Sequence, residues 1–193
     1  MEARKRIAVS AYLAFDEASD QRHEYWDGFV IAMAGAEPEH NQLKDNIARE
    51  LGNRMVRKGC LVVTSDQRVQ LDTKYVYPDV VLSCNPTFAP TRPQSLLTPE
   101  LIVEVSSPST DAIDRRDKLT AYMAIPSLRE YWIADPSQVS IHQFIHDLDG
   151  WRVIAHTSLD GTIKSDHFDL TLAVRDCYVQ VLPTEDEADE SPQ

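Results

Sequence analysis

Cysteine is scarce in this chain, and its scarcity limits how the protein could be cross-linked or bind a metal. The 193 residues include three cysteines, Cys60, Cys84 and Cys177, and no CxxC pair. An odd number of widely spaced cysteines argues against a disulfide framework and against a zinc site made of thiolates. We therefore expect all three cysteines to be reduced thiols.

Long apolar runs are also missing. No stretch approaches the roughly 20 apolar residues that cross a bilayer, and the basic residues 1–6 are not followed by the apolar core of a signal peptide. Neither an internal repeat nor a linker divides the chain. Because a hydrophobic content of 42% in 193 residues suffices for one ordinary core, we expect a single domain over residues 1–183 of a cytoplasmic protein.

Positive charge is in short supply. The 19 Lys and Arg residues face 31 Asp and Glu residues, which gives a formal charge of −12. Affinity for a phosphate backbone comes mainly from Lys and Arg, so this balance argues against non-specific binding to nucleic acid unless a local basic patch or bound metal ions assist. No helix-turn-helix or zinc-finger pattern supplies a separate reader. Residues 184–193 hold five of the acids and no base, which predicts a disordered acidic tail.

Hydrophobic periodicity in the first half of the chain predicts two helices, a hairpin and several strands. A short helix is expected over residues 10–18, followed by a hairpin whose strands, 23–26 and 29–33, flank Asp27-Gly28. Apolar residues then recur every four positions between Pro38 and Gly59, which predicts a long helix. Its charged side carries the one notable basic cluster, Arg49, Arg54, Arg57 and Lys58. Strands are expected within 60–71 and at 76–84, before a proline-rich loop over 85–99.

The second half of the chain continues the alternation of strands and helices. A strand at 101–105 precedes a second long helix, which Thr110 should cap and which should end near residue 124. A strand at 129–134 and a second hairpin, 139–145 and 151–156 around Asp149-Gly150, follow. Weaker strands and a short helix complete the chain to about residue 182. The whole predicts an α/β fold with a central mixed sheet, two covering helices and hairpins at its margins.

Two of the apolar strands each carry one carboxylate. Asp79 follows Pro78 in the strand at 76–84, and Glu104 lies in the middle of Leu-Ile-Val-Glu-Val at 101–105. Ionised carboxylates are rarely buried unless they are paired or bind a metal. If the two strands are neighbours, side-chain alternation lets Asp79 and Glu104 converge, and their repulsion then calls for a divalent cation. Oxygen ligands favour Mg²⁺ or Mn²⁺ over zinc.

Glu24 and Lys118 are two further candidates for this site. Glu24 is a third acid among apolar residues, and Lys118 lies in the helix that follows Glu104 and can pack back over its strand. Simpler explanations stand beside each assignment. Asp79 could cap its strand, Glu104 could form a structural ion pair, Glu24 could lie on a solvated hairpin face, and Lys118 could pair with Asp114 one turn away. Periodicity and charge leave these alternatives open.

Several of these residues recur together in a known family. The resemblance is to the Uma-type restriction endonuclease family of the PD-(D/E)XK nuclease superfamily, and it runs from about residue 8 to residue 180. It is carried by the segments 22–28, 33–35, 77–80, 103–110 and 130–132, together with His40, Asp114, Lys118 and Tyr122. His40 itself is interpreted as a hydrogen-bonding residue near a helix start, not as a metal ligand.

The resemblance implies a restriction-endonuclease-like core and Mg²⁺- or Mn²⁺-dependent hydrolysis of DNA phosphodiester bonds by a metal-activated water. It implies that Asp79 and Glu104 hold the metal and that Glu24 orients it or adds a ligand. The superfamily expects a lysine two residues after the second acid, where this chain has Ser106. The resemblance implies that Lys118 takes that role from the following helix. DNA would be the partner, and a homodimer would supply two active sites for a duplex.

A second function remains open beside the endonuclease. The acidic charge and the displaced lysine are also typical of a non-catalytic nucleic-acid-binding or interaction module that retains the nuclease fold. A glycosidase-like carboxylate pair is a more remote alternative, because no obvious exposed aromatic platform accompanies both acids.

Overall fold

The computed structural model describes residues 6–33, 35–106 and 112–182, with the side chains of 112–116 left outside the description. The predicted N-cap Thr110 and the acidic tail over 184–193 lie outside the described residues. Within those residues, no helix has the length and apolar character needed to cross a membrane.

The described chain alternates short strands with helices. Its helices are α1 (Val9–Ala18), α2 (Pro38–Met55), α3 (Ala112–Met123) and α4 (Val174–Cys177), with a 3₁₀ turn at Val56–Lys58. Its strands are β1 (His23–Trp26), β2 (Phe29–Ala32), β3 (Leu61–Thr64), β4 (Val69–Leu71), β5 (Lys74–Val76), β6 (Val80–Ser83), β7 (Leu101–Val105), β8 (Glu130–Asp135), β9 (Ser140–Asp147), β10 (Gly150–His156), β11 (Thr162–Ser165) and β12 (Leu170–Ala173).

A mixed six-stranded sheet forms the centre of the fold. Its order is β10-β9-β8-β7-β6-β3, and β7 and β8 are parallel while the other neighbours are antiparallel. A four-stranded sheet of order β2-β1-β5-β4 and a β11-β12 pair accompany it. The prediction of a mixed α/β fold is confirmed.

Helix α2 covers one face of the six-stranded sheet. Proline at its first turn supplies a pre-set φ, and Gly59 ends the following 3₁₀ turn at φ 82°. The four-residue period buries one stripe of the helix against the sheet, where it meets Val80, Leu82, Leu101, Val103 and Trp132; the stripe consists of Leu43, Ile47, Leu51 and Met55. On the charged side, Arg49 and Arg54 both pair with Glu50, and Lys58 pairs with Asp169, so three of the four members of the predicted basic cluster are engaged in ion pairs.

The opposite face of the central sheet packs against α3 and the four-stranded sheet. Tyr122 of α3 shares one buried cluster with Ile102 of β7, Tyr131 of β8 and Val76 of β5. Because side chains alternate along a strand, Glu104 lies on the same face of β7 as Ile102. Helix α3 and the small sheet therefore both border Glu104.

Both hairpins form, although each differs from its prediction. Asp27 and Gly28 have positive φ values of 48° and 105°, as a two-residue turn of mirror-image type requires, but the hairpin belongs to the four-stranded sheet. In the second hairpin Asp147 pairs with Gly150, so the turn residues are Leu148 and Asp149. Gly150, at φ 113°, is the first residue of β10 and takes a positive φ, while neither Leu148 nor Asp149 does.

The predicted strand at 76–84 is wrong, because two strands of different sheets share this segment. Strand β5 ends at Val76 in the four-stranded sheet, and β6 begins at Val80 in the six-stranded sheet. Between them stands Pro78, which has no N–H to donate to a ladder. Asp79 therefore lies in the connection directly before β6 and not within a strand.

The prediction of reduced thiols is also wrong for two of the three cysteines. Cys60 and Cys84 form a disulfide, and Cys177 is free and buried. The pairing follows from the antiparallel register of β3 and β6, in which Leu61 lies opposite Ser83. Cys60 and Cys84 flank that pair, but the sequence alone gave no indication that these strands are neighbours.

Candidate active site

Asp79 and Glu104 face one another at the end of the β6–β7 pair. Val80 lies opposite Val103, and Val81 opposite Ile102, so the same antiparallel register sets Asp79 opposite Glu104. The Asp79 Oδ2 atom accepts a hydrogen bond from the backbone N–H of Val105 at 2.8 Å. The two side chains are 15% and 16% exposed. Both predicted ligand residues thus reach one largely buried position.

Lys118 enters this position from α3. Its Nζ atom lies 3.0 Å from Glu24 Oε1 and 3.4 Å from Glu104 Oε1. One helical turn later, the Tyr122 hydroxyl donates a hydrogen bond to Glu104 Oε1 at 2.7 Å. Residues four apart share a helix face, which explains why both side chains reach the same carboxylate.

Glu24 comes from β1 of the four-stranded sheet and is buried. Its Oε1 atom accepts the Tyr77 backbone N–H at 3.3 Å as well as the Lys118 ammonium, and its Oε2 atom accepts Trp26 Nε1 at 3.0 Å. Glu24 therefore does not lie on a solvated face of the hairpin, which was the simpler explanation for this residue.

His40 also borders the pair, which the sequence did not predict. Its Nε2 atom lies 3.0 Å from the carbonyl oxygen of Val105 and 3.4 Å from Asp79 Oδ2. Its position in the first turn of α2 and its place in the family resemblance were the available signals. The contact with Asp79 could not be read from either, because α2 and β6 are far apart in the sequence.

A second buried network, centred on Asp16 and Arg68, holds together the segments that carry Glu24 and Asp79. The side chains of Asp16 and Arg68 are fully buried, and Arg68 Nη1 lies 3.0 Å from Asp16 Oδ2. Asp16 also accepts hydrogen bonds from the Tyr77 hydroxyl and, at 3.2 Å, from the His23 N–H. This carboxylate therefore ties the segment before Asp79 to the start of β1. A single Asp in a short helix gave no hint of this role.

The crowding of charges shifts the pKa values of the site. Burial raises the pKa of Glu104 to about 7; Asp79 and Glu24 add to the rise, while Lys118 and the Tyr122 hydroxyl oppose it. Burial lowers the pKa of Lys118, but its contacts with Glu104 and Glu24 outweigh this and raise that pKa above its usual value. For His40, too, burial is outweighed by Asp79, so the pKa of the imidazole is raised.

The donor set fits a divalent cation. Three carboxylates, those of Glu24, Asp79 and Glu104, face one ammonium, which leaves two negative charges when all three are ionised and His40 is neutral. Among the described residues, no hydrogen bond uses Glu104 Oε2 or Asp79 Oδ1. The described part of the chain contains no group of three or more His, Cys, Asp or Glu side chains placed to hold a metal. Mg²⁺ commonly binds through one or two carboxylates and keeps several waters, so a two-carboxylate site is sufficient.

Comparisons with known proteins agree with this architecture. Residues 9–175 match the model of the Uma2 family, described as "Putative restriction endonuclease". The uncharacterized protein slr1290 of Synechocystis sp. is 30% identical over 158 residues, which cover 80% of this chain and 83% of that protein. The uncharacterized protein sll1609 of the same organism is 33% identical over 138 residues, which cover 68% and 76% of the two chains.

A solved structure has the same fold. It is a crystal structure from Anabaena variabilis, titled a putative nuclease belonging to DUF820, and it aligns with a TM-score of 0.71 at 13% sequence identity. The alignment covers 89% of this chain and 97% of that chain. The predicted restriction-endonuclease-like core, a mixed sheet flanked by helices, is therefore confirmed. Because the family model spans most of the sequence, including Glu24, Asp79, Glu104 and Lys118, this chain belongs to the Uma2 family.

Proposed function

We propose that this protein is a metal-dependent endonuclease that hydrolyses phosphodiester bonds of DNA. The position of Lys118 is the observation that carries the proposal. Its ammonium stands beside Glu104 although it comes from a helix, and the residue two positions after Glu104 is Ser106. In this member of the Uma2 family, helix α3 therefore supplies the lysine beside the carboxylate pair, and the strand of Glu104 does not.

The proposed metal ligands are Asp79 and Glu104, with Mg²⁺ or Mn²⁺ as the ion. When bound, the ion would polarise the scissile phosphoryl group and lower the pKa of a coordinated water. The Tyr122 hydroxyl holds Glu104 through Oε1, and Oε2 accepts no hydrogen bond from the described residues. Both oxygens of Glu24 already accept hydrogen bonds, so its contacts favour an orienting role over that of a third ligand.

Lys118 would act on the substrate directly. Glu24 and Glu104 hold its ammonium in place, and the raised pKa keeps it protonated at neutral pH. A fixed N–H donor can orient the attacking water or stabilise negative charge that develops on a phosphoryl oxygen. Since the chain carries a formal charge of −12, this ammonium and the metal would provide the local attraction for a DNA phosphate.

We further propose a single domain over residues 1–183, a homodimer and a cytoplasmic location. The Cys60–Cys84 disulfide speaks against the last of these, because disulfides are rare in the cytosol. Alkylation of free thiols before cell lysis, followed by mass analysis, tests the location: blocked Cys60 and Cys84 would place the protein in a reducing compartment, and an intact disulfide would place it elsewhere.

Nicking of supercoiled plasmid in the presence of Mg²⁺ or Mn²⁺ tests the function. Wild-type protein should convert the plasmid to the open-circular form, while Asp79→Ala and Glu104→Ala abolish the conversion. Asp45→Ala, at an exposed carboxylate of α2, is the matched control and should keep full activity. Equal cutting by all variants would assign the activity to a contaminant, and binding in gel shifts without cutting would favour the non-catalytic module.

A further inference from the structure

Strand β10 stands at the edge of the central sheet. Among the described strands, β9 is its only neighbour, and the seven residues of β10 run unbroken by proline from Gly150 to His156. An edge strand presents a row of unpaired backbone N–H and C=O groups, and natural proteins cover such edges or blunt them with charge. β10 carries one charged residue, Arg152, which already pairs with Asp147 of β9.

The exposed apolar surface of the protein is concentrated around this edge. Val153 is 57% exposed and Ile154 is 37% exposed, on opposite faces of the strand. Leu148, at the hairpin tip, and Leu159, just beyond β10, are exposed as well. These four are half of the eight large exposed hydrophobic residues within the described part of the chain. Exposed apolar residues that lie close together are typical of an interaction surface, whereas single scattered ones are common on any protein.

Other segments of this chain are poorly suited to cover the edge. The N-terminal segment is attached to the other sheet, where the Ile7 N–H donates to the Gly28 carbonyl at 2.9 Å and Arg6 lies over Phe29. Residues 184–193 hold five acids and a single apolar residue, Ala188, so they lack the alternating pattern of a strand that could pair with Val153 and Ile154.

We propose that β10 pairs antiparallel with β10 of a second copy of this chain, joining the two central sheets into one of twelve strands. If the two-fold axis is normal to the sheet, each odd-numbered residue faces an odd-numbered residue of the partner, and each even-numbered residue faces an even-numbered one. An axis at Val153 sets Arg152 opposite the partner's Ile154 and Trp151 opposite the partner's Ala155. An axis at Arg152 would oppose two like charges, which destabilises a strand pair.

The charge distribution favours this partner. Two chains that each carry a formal charge of −12 repel one another over most of their surfaces. β10 is an exception, because between Gly150 and His156 it contains one Arg and no acid. A second copy can therefore approach at this strand without meeting carboxylates of β10.

The pairing has a consequence for DNA cleavage, and this consequence rests on the proposed function. A two-fold axis normal to the sheet leaves the Glu104 faces of both copies on the same side. Seven strand spacings of about 4.8 Å separate the two β7 strands, or about 34 Å before sheet twist shortens the distance. One turn of B-DNA has a similar length, about 34 Å. Both sites would then open toward one duplex.

Oligomeric state in the absence of DNA tests the interface independently of any nuclease activity. One strand pair is smaller than a standard interface of about 1,600 Å², so we expect a dimer with a dissociation constant of about micromolar. Sedimentation velocity over a micromolar concentration series should show dimer for the wild type and monomer for Val153→Lys. Val56→Lys is the matched control, because Val56 is 59% exposed on the turn after α2, and it should dimerise like the wild type.

A cross-linking variant supplies the complementary result. Opposed residues of a strand pair have Cβ atoms about 5 Å apart, so Val153→Cys should form a covalent dimer on mild oxidation, while Val56→Cys stays monomeric on a non-reducing gel. Far-UV circular dichroism confirms that each variant is folded. A monomeric wild type, a dimer that survives Val153→Lys, or equal loss in Val56→Lys overturns the proposal. Dimerisation that occurs only after residues 184–193 are removed would also overturn the proposal, because the tail would then be the segment that covers β10.

Discussion

Glu24 and Lys118, 94 positions apart in the sequence, meet at 3.0 Å between Oε1 and Nζ. The pair joins the four-stranded sheet, which carries Glu24, to helix α3 on the face of the central sheet. Lys118 also faces Glu104 at 3.4 Å, so one ammonium is shared by two carboxylates from different sheets.

Removal of the Lys118 ammonium should impair hydrolysis more than metal binding. We expect Lys118→Met to lower the single-turnover cleavage rate by about 10²–10³-fold, the usual loss for one donor that stabilises developing charge. Mn²⁺ affinity, measured by electron paramagnetic resonance, should persist, since Asp79 and Glu104 remain. Lys164→Met, on the exposed side of β11, is the control. An unchanged cleavage rate in Lys118→Met would reduce Lys118 to a structural counter-ion.

The Tyr122 hydroxyl should set the pH range of activity. Its hydrogen bond to Glu104 favours the ionised carboxylate and so lowers the pKa of Glu104. Tyr122→Phe removes that bond, and the pKa should rise. The acidic limb of the pH–rate profile should therefore move to higher pH in this variant. A profile that coincides with that of the wild type, in a folded variant, would show that Glu104 does not control this limb.

Stability without metal should fall as pH rises through the titration of Glu104. Its pKa is raised from 4.5 to about 7, so the folded protein binds more protons than the unfolded chain between these values. The free energy of unfolding therefore decreases from about pH 4.5 to about pH 7 for this residue. The Glu104→Gln variant should not show this decrease in the free energy of unfolding. In the wild type, saturating Mg²⁺ should make the free energy of unfolding rise over the same pH range, because the ion binds the ionised carboxylate. Thermal melts across this pH range provide the measurement.

The buried Asp16–Arg68 pair should matter far more for stability than an exposed pair. Asp16→Asn leaves Arg68 buried without its counter-charge, which typically costs about 3–5 kcal/mol of unfolding free energy. Asp160→Asn, in the exposed pair with Arg175, should cost less than about 1 kcal/mol. Urea unfolding of both variants makes the comparison. Similar losses in the two would mean that the buried network is not what supports the site.

Features encoded by local pattern could be predicted from the sequence. Asp27-Gly28 gave the first hairpin, because both turn residues need positive φ, and the four-residue period after Pro38 gave α2. The convergence of Asp79 and Glu104 followed from one assumption, that their strands are neighbours. The sequence placed Lys118 within reach of the pair by the order of strand and helix, and the family resemblance assigned its role.

Features that depend on which segments become neighbours could not be predicted. Val76 and Val80 look alike in sequence, yet they belong to different sheets. The disulfide of Cys60 and Cys84 depends on the pairing of β3 with β6, which no local pattern reveals. Asp16 acquires its partners only when α1 packs over the start of β1. In each case the decisive information is tertiary contact.

A crystal structure with Mn²⁺, located by anomalous diffraction, would show whether Asp79 and Glu104 are the metal ligands. We expect a peak bound by the carboxylates of Asp79 and Glu104, with the Lys118 ammonium beside it and still held by Glu24. The absence of a peak between these two carboxylates, at a Mn²⁺ concentration that supports plasmid nicking, would show that they do not hold the metal.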